Sequence, residues 1–378
     1  AFNPKAKTYR VIYKEVREEN FNQDLLEALA NGVGPDLILA PYQTILQNAA
    51  RVYPVPLASY GEKIYKTRFV DGASVFFTPF GALALPVAID PMVMFYNRTL
   101  FSKHGIVNPP SNWQDVAATV PAITLLNSNG TFQESGLAFG APNTKNAKDI
   151  IMAMVAQIGQ VPVLAQYDQT GATFIDVRAN TPTVEGGTVL PLAAVARFFA
   201  QFADPTQPTY TWNQNMGNAD DVFVAERLAM YIGYAGELQT LRARNPKADI
   251  EMTYFPQNSG YNTFSTGMKM YGIATLKSSK NIITALNVES EFSSPGVAPT
   301  IAGIVGAVPA LRSYASTPAL DEIVARSMLV ARGWYDSFPQ ESTFLVGSML
   351  SDVISGRLGV NDAAALFVSR MRDLYSGN

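Results

Sequence analysis

Apolar and polar positions along the chain recur with two different periods. Tyr9 to Val16 carries β-branched and aromatic residues suited to a strand. Asn22 to Asn31 repeats Leu25, Leu26 and Leu29 at helical spacing, with Gly32 placed to end the helix. Pro35 to Leu39 is a short unbroken apolar run, the pattern of a strand buried on both faces. Tyr42 to Ala50 then returns to helical spacing. Strand, helix, strand and helix at such short intervals predict an α/β fold with a parallel sheet and crossover helices.

The segment Ala84 to Asn97 holds two strand-like runs that flank Asp90-Pro91. Proline cannot donate in a central ladder, so the sheet is expected to be interrupted there, as at a crossing between two domains. Ser111-Asn112-Trp113-Gln114 reads as a capping box opening a helix to about Ala118. Further helices are expected at Lys145 to Ile158, Leu190 to Phe202, Ala219 to Arg227, Asn281 to Phe292, Pro318 to Trp334 and Asn361 to Tyr375. In the last of these, Phe367, Met371, Leu374 and Tyr375 share one face. Leu228 to Ile232, Ile250 to Tyr254 and Met270 to Ala274 read as strands. Proline and glycine punctuate the chain evenly, so composition marks no domain boundary.

Composition changes this picture by exclusion. With 378 residues, 48% of them hydrophobic and 16% charged, the chain has apolar surface enough for two or three packed domains. The longest apolar run, Ile301 to Leu311, is broken by Gly303, Gly306 and Pro309 and falls short of the roughly 20 residues of a spanning helix. A net charge of −3, dispersed along the chain, offers no nucleic-acid or anionic-lipid footprint. The chain has no cysteine, which excludes disulfides, thiolate metal sites and cysteine nucleophiles and is compatible with an oxidising compartment. The first ten residues do not read as a signal peptide.

Candidate chemistry is sparse. His104 is the only histidine and sits near an expected helix end, where a charged imidazole favourably caps the carbonyls. Asp220-Asp221 is the obvious carboxylate doublet, and acidic complementation of a helix start explains it. No nucleophile elbow, phosphate-binding loop or dinucleotide fingerprint occurs. Asn97-Arg-Thr and Asn129-Gly-Thr match the glycosylation sequon, a pattern common by chance. What stands out is aromatic and amide residues at segment junctions: Tyr42-Gln43, Tyr231 and Tyr234, Trp212-Asn213 and Trp334-Tyr335. Aromatic faces stack on sugar rings and amides bond hydroxyls, though 11% aromatic content also suits a core.

The stretch Gly81 to Val116, GALALPVAIDPMVMFYNRTLFSKHGIVNPPSNWQDV, resembles the signature region of the extracellular solute-binding proteins of ABC importers, the maltose-binding-protein-like, sugar-type group. Three further segments are similar to that family in the same order: Leu25 to Leu39 with its Gly-x-Gly-Pro-Asp, Phe223 to Gly233 (FVAERLAMYIG) and Ser351 to Ala364. The resemblance implies a periplasmic-binding-protein-like α/β fold of two lobes with a hinge and an interlobe ligand cleft. Crossings are then expected near 88–93, 265–271 and 305–312. Lobe one would hold residues 1–88 plus 271–307, and lobe two 93–265 plus 312–378.

The resemblance also implies site residues. Tyr42 and Gln43 fall where the family places polar cleft contacts, and Asp90 where it often has a carboxylate gripping sugar hydroxyls. Asn143 and Thr144 open a lobe-two helix at the cleft edge, and Tyr234 and Glu237 fall where an aromatic platform is common. Ser342, Thr343 and Phe344 occupy another cleft-lining stretch. Where maltose-type members stack tryptophan, this chain has Ala40, Gly236 and Leu345, which argues against maltodextrin recognition by that platform set.

The family begins with a strand and a long helix before the segment matching Ala1 to Glu15. The expectation is therefore that Ala1 is not the true start and that an export signal or membrane anchor precedes it, or that another chain supplies the strand. The function implied is a non-catalytic, monomeric, extracytoplasmic receptor. It needs no cofactor or metal, captures a small polar solute, expected to be a carbohydrate, and presents it to an ABC permease. The alternatives are a glycan-active enzyme using a carboxylate pair, and a structural or adhesive surface protein retaining the fold.

Overall fold

The computed structural model describes residues 9–159, 161–168, 173–183, 189–261 and 264–376. Ala1 and the region expected to precede it lie outside the described residues. The organising element is one strand of 13 residues, Leu85–Asn97, buried along nearly its whole length. Its first half pairs antiparallel with Met268–Thr275 and, on the other edge, with Val308–Pro309. Its second half pairs antiparallel with Leu228–Tyr234 and Ile250–Tyr254. Both neighbours are exchanged between Ile89 and Val93.

Asp90-Pro91 therefore does not break the strand, contrary to the sequence expectation. The proline sits at the position where the ladder changes partners, so its missing N–H removes no bond from either half. Its carbonyl accepts from the Ala235 N–H at 3.0 Å, and Met92 N–H donates to the Gly267 carbonyl at 2.9 Å. One continuous strand thus crosses from one packed body to the other.

Alternation along this strand feeds separate cores. Leu85, Val87 and Ile89 join a first core with Tyr42, Ile45, Phe69, Phe76 and Ile273. Beyond the exchange, Met92 and Met94 point into a second core with Trp113, Phe139 and Ile150, while Val93 and Phe95 face a third with Trp212, Phe223 and Tyr231. Successive side chains leave opposite faces of a strand, so a doubly covered sheet needs apolar residues at every position.

Other expectations are revised by pairing. Leu37–Pro41 runs antiparallel to Met268–Thr275, and only its alternate residues Ile38 and Ala40 are buried. The expected parallel sheet is mixed: among the described residues the parallel pairing joins Phe132–Leu137 to Leu228–Tyr234 and the other ladders are antiparallel. Residues 9–17 form no strand, and Ile12 and Tyr13 are exposed. The expected helices form, most of them trimmed at their ends. The helix after Pro110 is Trp113–Ile123, and its cap is Asn112, whose Oδ1 accepts from the Asp115 N–H. No described helix is long and apolar enough to cross a membrane.

Candidate functional site

The cleft between the first and second cores has an inner floor and an outer cavity. The floor is built around the middle of the long strand. Asp90 is buried and its Oδ1 accepts from the Gly236 N–H at 2.9 Å. Burial raises its carboxyl to a pKa of about 7, against the opposing pull of that N–H and of Lys269. A Cβ at Gly236 would lie 1.9 Å from the Gly306 carbonyl oxygen, so only glycine lets these two segments touch.

Tyr234 lies beside this contact. Its hydroxyl donates to Asp149 at 2.7 Å, and Lys269 Nζ stands 4.3 Å from its ring centroid. Glu237 accepts from the Tyr234 N–H at 3.0 Å and from Lys145 at 2.9 Å, as well as from the Tyr231 hydroxyl. Tyr42 is buried from the first core's side, and burial raises its hydroxyl well above the usual range, reinforced by Asp336 and Asp149. Lys148 pairs with Asp336 at 2.7 Å, and the Ser342 hydroxyl donates to the same carboxylate at 3.0 Å. Between Tyr42, Asp149, Arg332 and Trp334 a void of only about 20 Å³ remains.

The outer cavity measures about 340 Å³. One wall is the Ser74–Phe77 turn of the first core; the opposite wall is Ala156, Gly159 and the segment 161–167. Tyr167, Trp334 and Tyr335 supply aromatic faces, with Arg332 and Ser265 as polar groups between them. Phe80 meets Tyr167 edge to face at 6.2 Å between centroids, where the turn at 78–81 approaches the hairpin of Val163–Tyr167 and Thr173–Val177.

The structure brings Tyr42, Asp90, Tyr234, Glu237 and Ser342 to the floor, where each is engaged by protein side chains or backbone groups, Tyr42 through the backbone of Trp334. Gln43 is half-buried in the first turn after Tyr42. Asn143 is exposed and donates to the Gln214 carbonyl at 3.1 Å. Thr144 does not open the helix, which starts at Ala147. Its N–H donates to Ala141 while its hydroxyl is buried without a partner among the described residues. Thr343 is exposed and returns its hydroxyl to the Pro339 carbonyl at 2.7 Å.

Phe344 is 73% exposed on a separate surface groove with Leu345, Arg370 and Leu374. Helical phase explains the split. In Pro339–Ile354 the buried face is Ser342, Val346, Met349 and Leu350, and Phe344 stands two residues out of that phase. His104 does cap a helix end, but it is mostly covered, with Nε2 2.7 Å from Glu134. Asp220 and Asp221 open Ala219–Val224 and meet Arg244.

Of the cavity wall, sequence reading singled out only Trp334-Tyr335, through their place at a segment junction. Tyr167, Ser265, Arg332 and the Ser74–Phe77 turn carried no local signal; the fold assembles them from distant loops.

Comparison with known proteins agrees with this architecture. The chain is similar in structure to the sugar-binding protein MalE of Xanthomonas citri, with a TM-score of 0.74 at 15% identity over 96% of this chain and 89% of that one. A cyclo/maltodextrin-binding protein complexed with maltotetraose gives 0.71 at 15% identity, over 94% and 88%. An ABC transporter solute-binding protein of Thermotoga lettingae TMO, bound with α-D-tagatose, gives 0.67 at 18%, over 94% and 89%. The fold is thus α/β and periplasmic-binding-protein-like. Putative binding proteins of Brucella abortus (strain 2308) and Brucella suis biovar 1 (strain 1330) are each 30% identical over 108 residues, 28% of this chain. That match spans about a quarter, 26%, of each relative's length. The family model of bacterial extracellular solute-binding proteins matches residues 1–324, a family of binding proteins rather than enzymes that acts outside the cytoplasm, and this chain belongs to it.

Proposed function

We propose that the protein is a receptor that captures a small carbohydrate in the outer cavity, closes two lobes on it, and delivers it to an ABC import permease. The observation that carries this reading is a 340 Å³ cavity whose two walls belong to different cores and whose faces are aromatic. Sugar rings present apolar faces to such side chains, and a cavity of this size, near the lower end of ligand pockets, suits one or two rings. Structural relatives that bind maltotetraose and tagatose support the same class of ligand.

In this reading lobe one comprises residues to about 88 plus 271–307, and lobe two 93–265 plus 312–378, with the crossings at 88–93, 265–271 and 305–312. Contacts to both walls stabilise the closed form, because a ligand of equal affinity for open and closed forms shifts nothing. Tyr42, Gln43, Asp90, Asn143, Thr144, Tyr234, Glu237, Ser342, Thr343 and Phe344 then divide by role. Tyr42, Asp90, Tyr234, Glu237 and Ser342 set the hinge floor and its packing, the other five lie beside it or on the surface, and the ligand contacts come from the outer cavity, which none of the ten lines.

Calorimetric titration of the protein with a panel of mono- and disaccharides tests the reading. Binding of at least one sugar, with a decrease in radius of gyration on saturation and no product formed, is the expected result. Turnover of a bound glycan would favour a glycan-active enzyme, and no binding by any sugar would favour a structural surface protein.

A further inference from the structure

Two features of the outer cavity are left unaccounted for by the fold. The first is an orphaned hydroxyl. Ser265 is 1% exposed, lies on the cavity wall, and its Oγ has no hydrogen-bond partner among the described residues. Its backbone is fixed: the N–H donates to Gln257 at 3.0 Å, and the carbonyl accepts from Gln157 at 3.0 Å and Gln257 at 3.2 Å. A buried hydroxyl left unpaired on a rigid segment costs free energy that a bound acceptor or donor recovers.

The second is an excess positive charge. Arg332 is the one charged side chain among the described residues on this wall. It is tied to the same segment, since its N–H donates to the Thr266 carbonyl at 2.9 Å, next to Ser265. Its guanidinium donates through Nη2 to Asp71 at 2.8 Å and through Nη1 to the Leu329 and Ala331 carbonyls at 3.2 and 3.1 Å; the carbonyls carry no charge, and Asp71 also takes the guanidinium of Arg312. Two arginines share one carboxylate, leaving a net positive charge beside the cavity. Asp149, which lines the inner void together with Arg332, is occupied by the Tyr234 hydroxyl.

From the pairing of Arg332 with the unpartnered Ser265 hydroxyl, and resting on the receptor reading above, we infer that the ligand is an acidic saccharide of one or two rings. Its anionic group meets Arg332 and Ser265 while the ring lies against Tyr167, Trp334 and Tyr335. A guanidinium bonds a carboxylate or phosphate in a charge-assisted fork, a contact a neutral hydroxyl cannot match.

The test is titration of the full chain with D-glucuronate, D-galacturonate, D-mannuronate and L-guluronate, their disaccharides, glucose 6-phosphate, and the corresponding neutral sugars. An acidic member is expected to bind about ten- to a hundred-fold tighter than its neutral counterpart, the range of one charge-assisted bond. Uronates against the sugar phosphate identify which anion is used. Ser265→Ala is expected to weaken the acidic ligand several-fold without lowering the melting temperature of the unliganded protein, and Arg332→Met to abolish the preference. Should Arg332→Met fail to fold, Asp71→Asn serves instead, since freeing Arg332 from its carboxylate raises the acidic preference. A neutral sugar binding as tightly as its acidic counterpart overturns this inference and leaves the receptor reading standing. Silence from both classes overturns the two together.

Discussion

The inner floor and the outer cavity of the cleft belong to the same fold and touch through Arg332 and Trp334, yet their chemistry is opposite. On the floor most polar groups have met partners within the protein: Asp90 with Gly236, Tyr234 with Asp149, Lys148 with Asp336 and Ser342. The space left, about 20 Å³, is room for a single water at most. Outward, 340 Å³ stays open against aromatic faces, and a buried hydroxyl lacks a partner. A satisfied polar network specifies and rigidifies structure, whereas an unsatisfied one awaits a ligand. On the proposed reading, the residues with most chemistry serve the hinge, and those left to meet a ligand are mainly flat rings.

The comparison breaks most readily at Lys148. Lys148 and Asp336 are 9% and 0% exposed in their side chains and form a buried ion pair. Lys148→Met strands the carboxylate and is expected to cost about 3–5 kcal/mol in urea unfolding, while Lys148→Met with Asp336→Leu recovers most of that loss. A cost below about 1 kcal/mol for the single variant would mean that water reaches the floor and that it is no built core. Next in size is Gly236→Ala. The added methyl must displace the Gly306 carbonyl, and overpacking of this kind costs about 1–3 kcal/mol. If the displaced segment is a crossing, as proposed, scattering should show a larger radius of gyration with sugar bound than in the unaltered protein.

These contrasts also show what sequence can reveal. The special place of residues 90 and 91 was legible because Pro91 forbids an ordinary ladder, although the outcome was a change of partners rather than a break; Asp90 itself was reached only through the family resemblance. The helices were legible from their apolar period, and the strands Leu228–Tyr234 and Ile250–Tyr254 from theirs. Tyr9 to Val16 has the composition of a strand, but a strand also needs a neighbour's N–H and carbonyl groups, which composition cannot supply. The cavity was mostly illegible for a related reason. Ser74, Tyr167, Ser265 and Arg332 are distant in sequence and meet only when the two cores pack, and none stands in a spaced motif. Phe344 shows the reverse failure: it lay in the right segment and was turned outward by the helix phase.

A third expectation concerns the outer wall alone. Tyr167→Ala removes one ring face and the edge contact with Phe80, an interaction worth about 0.5–1.5 kcal/mol. The melting temperature should move little while sugar affinity falls about ten-fold, the equivalent of some 1.4 kcal/mol. If stability fell and affinity held, the hairpin would be scaffold and the contrast between floor and cavity would be drawn in the wrong place.

The last effect is a slope with pH, gradual rather than a single step. Asp90 has its carboxyl raised by burial to about 7, above its value in the unfolded chain. Between about pH 4 and 7 the folded form therefore binds more protons, so its contribution to stability is full below pH 4 and is lost as pH rises through 7. Asp90→Asn keeps an oxygen to accept from Gly236 but cannot titrate. The stability difference between wild type and this variant, from denaturant midpoints, should fall from pH 4 to 7 and level beyond 8. Glu289, raised by burial to about 8 in the first core and bonded to Thr275 and Leu85, gives the control: the difference for Glu289→Gln keeps falling to about pH 8. If the ligand rests only on the outer wall, saturating sugar shifts both curves upward by a constant and leaves their slopes unchanged. A slope for Asp90 that flattens with sugar bound would place the carboxylate against the ligand after all, and make the floor part of the binding site.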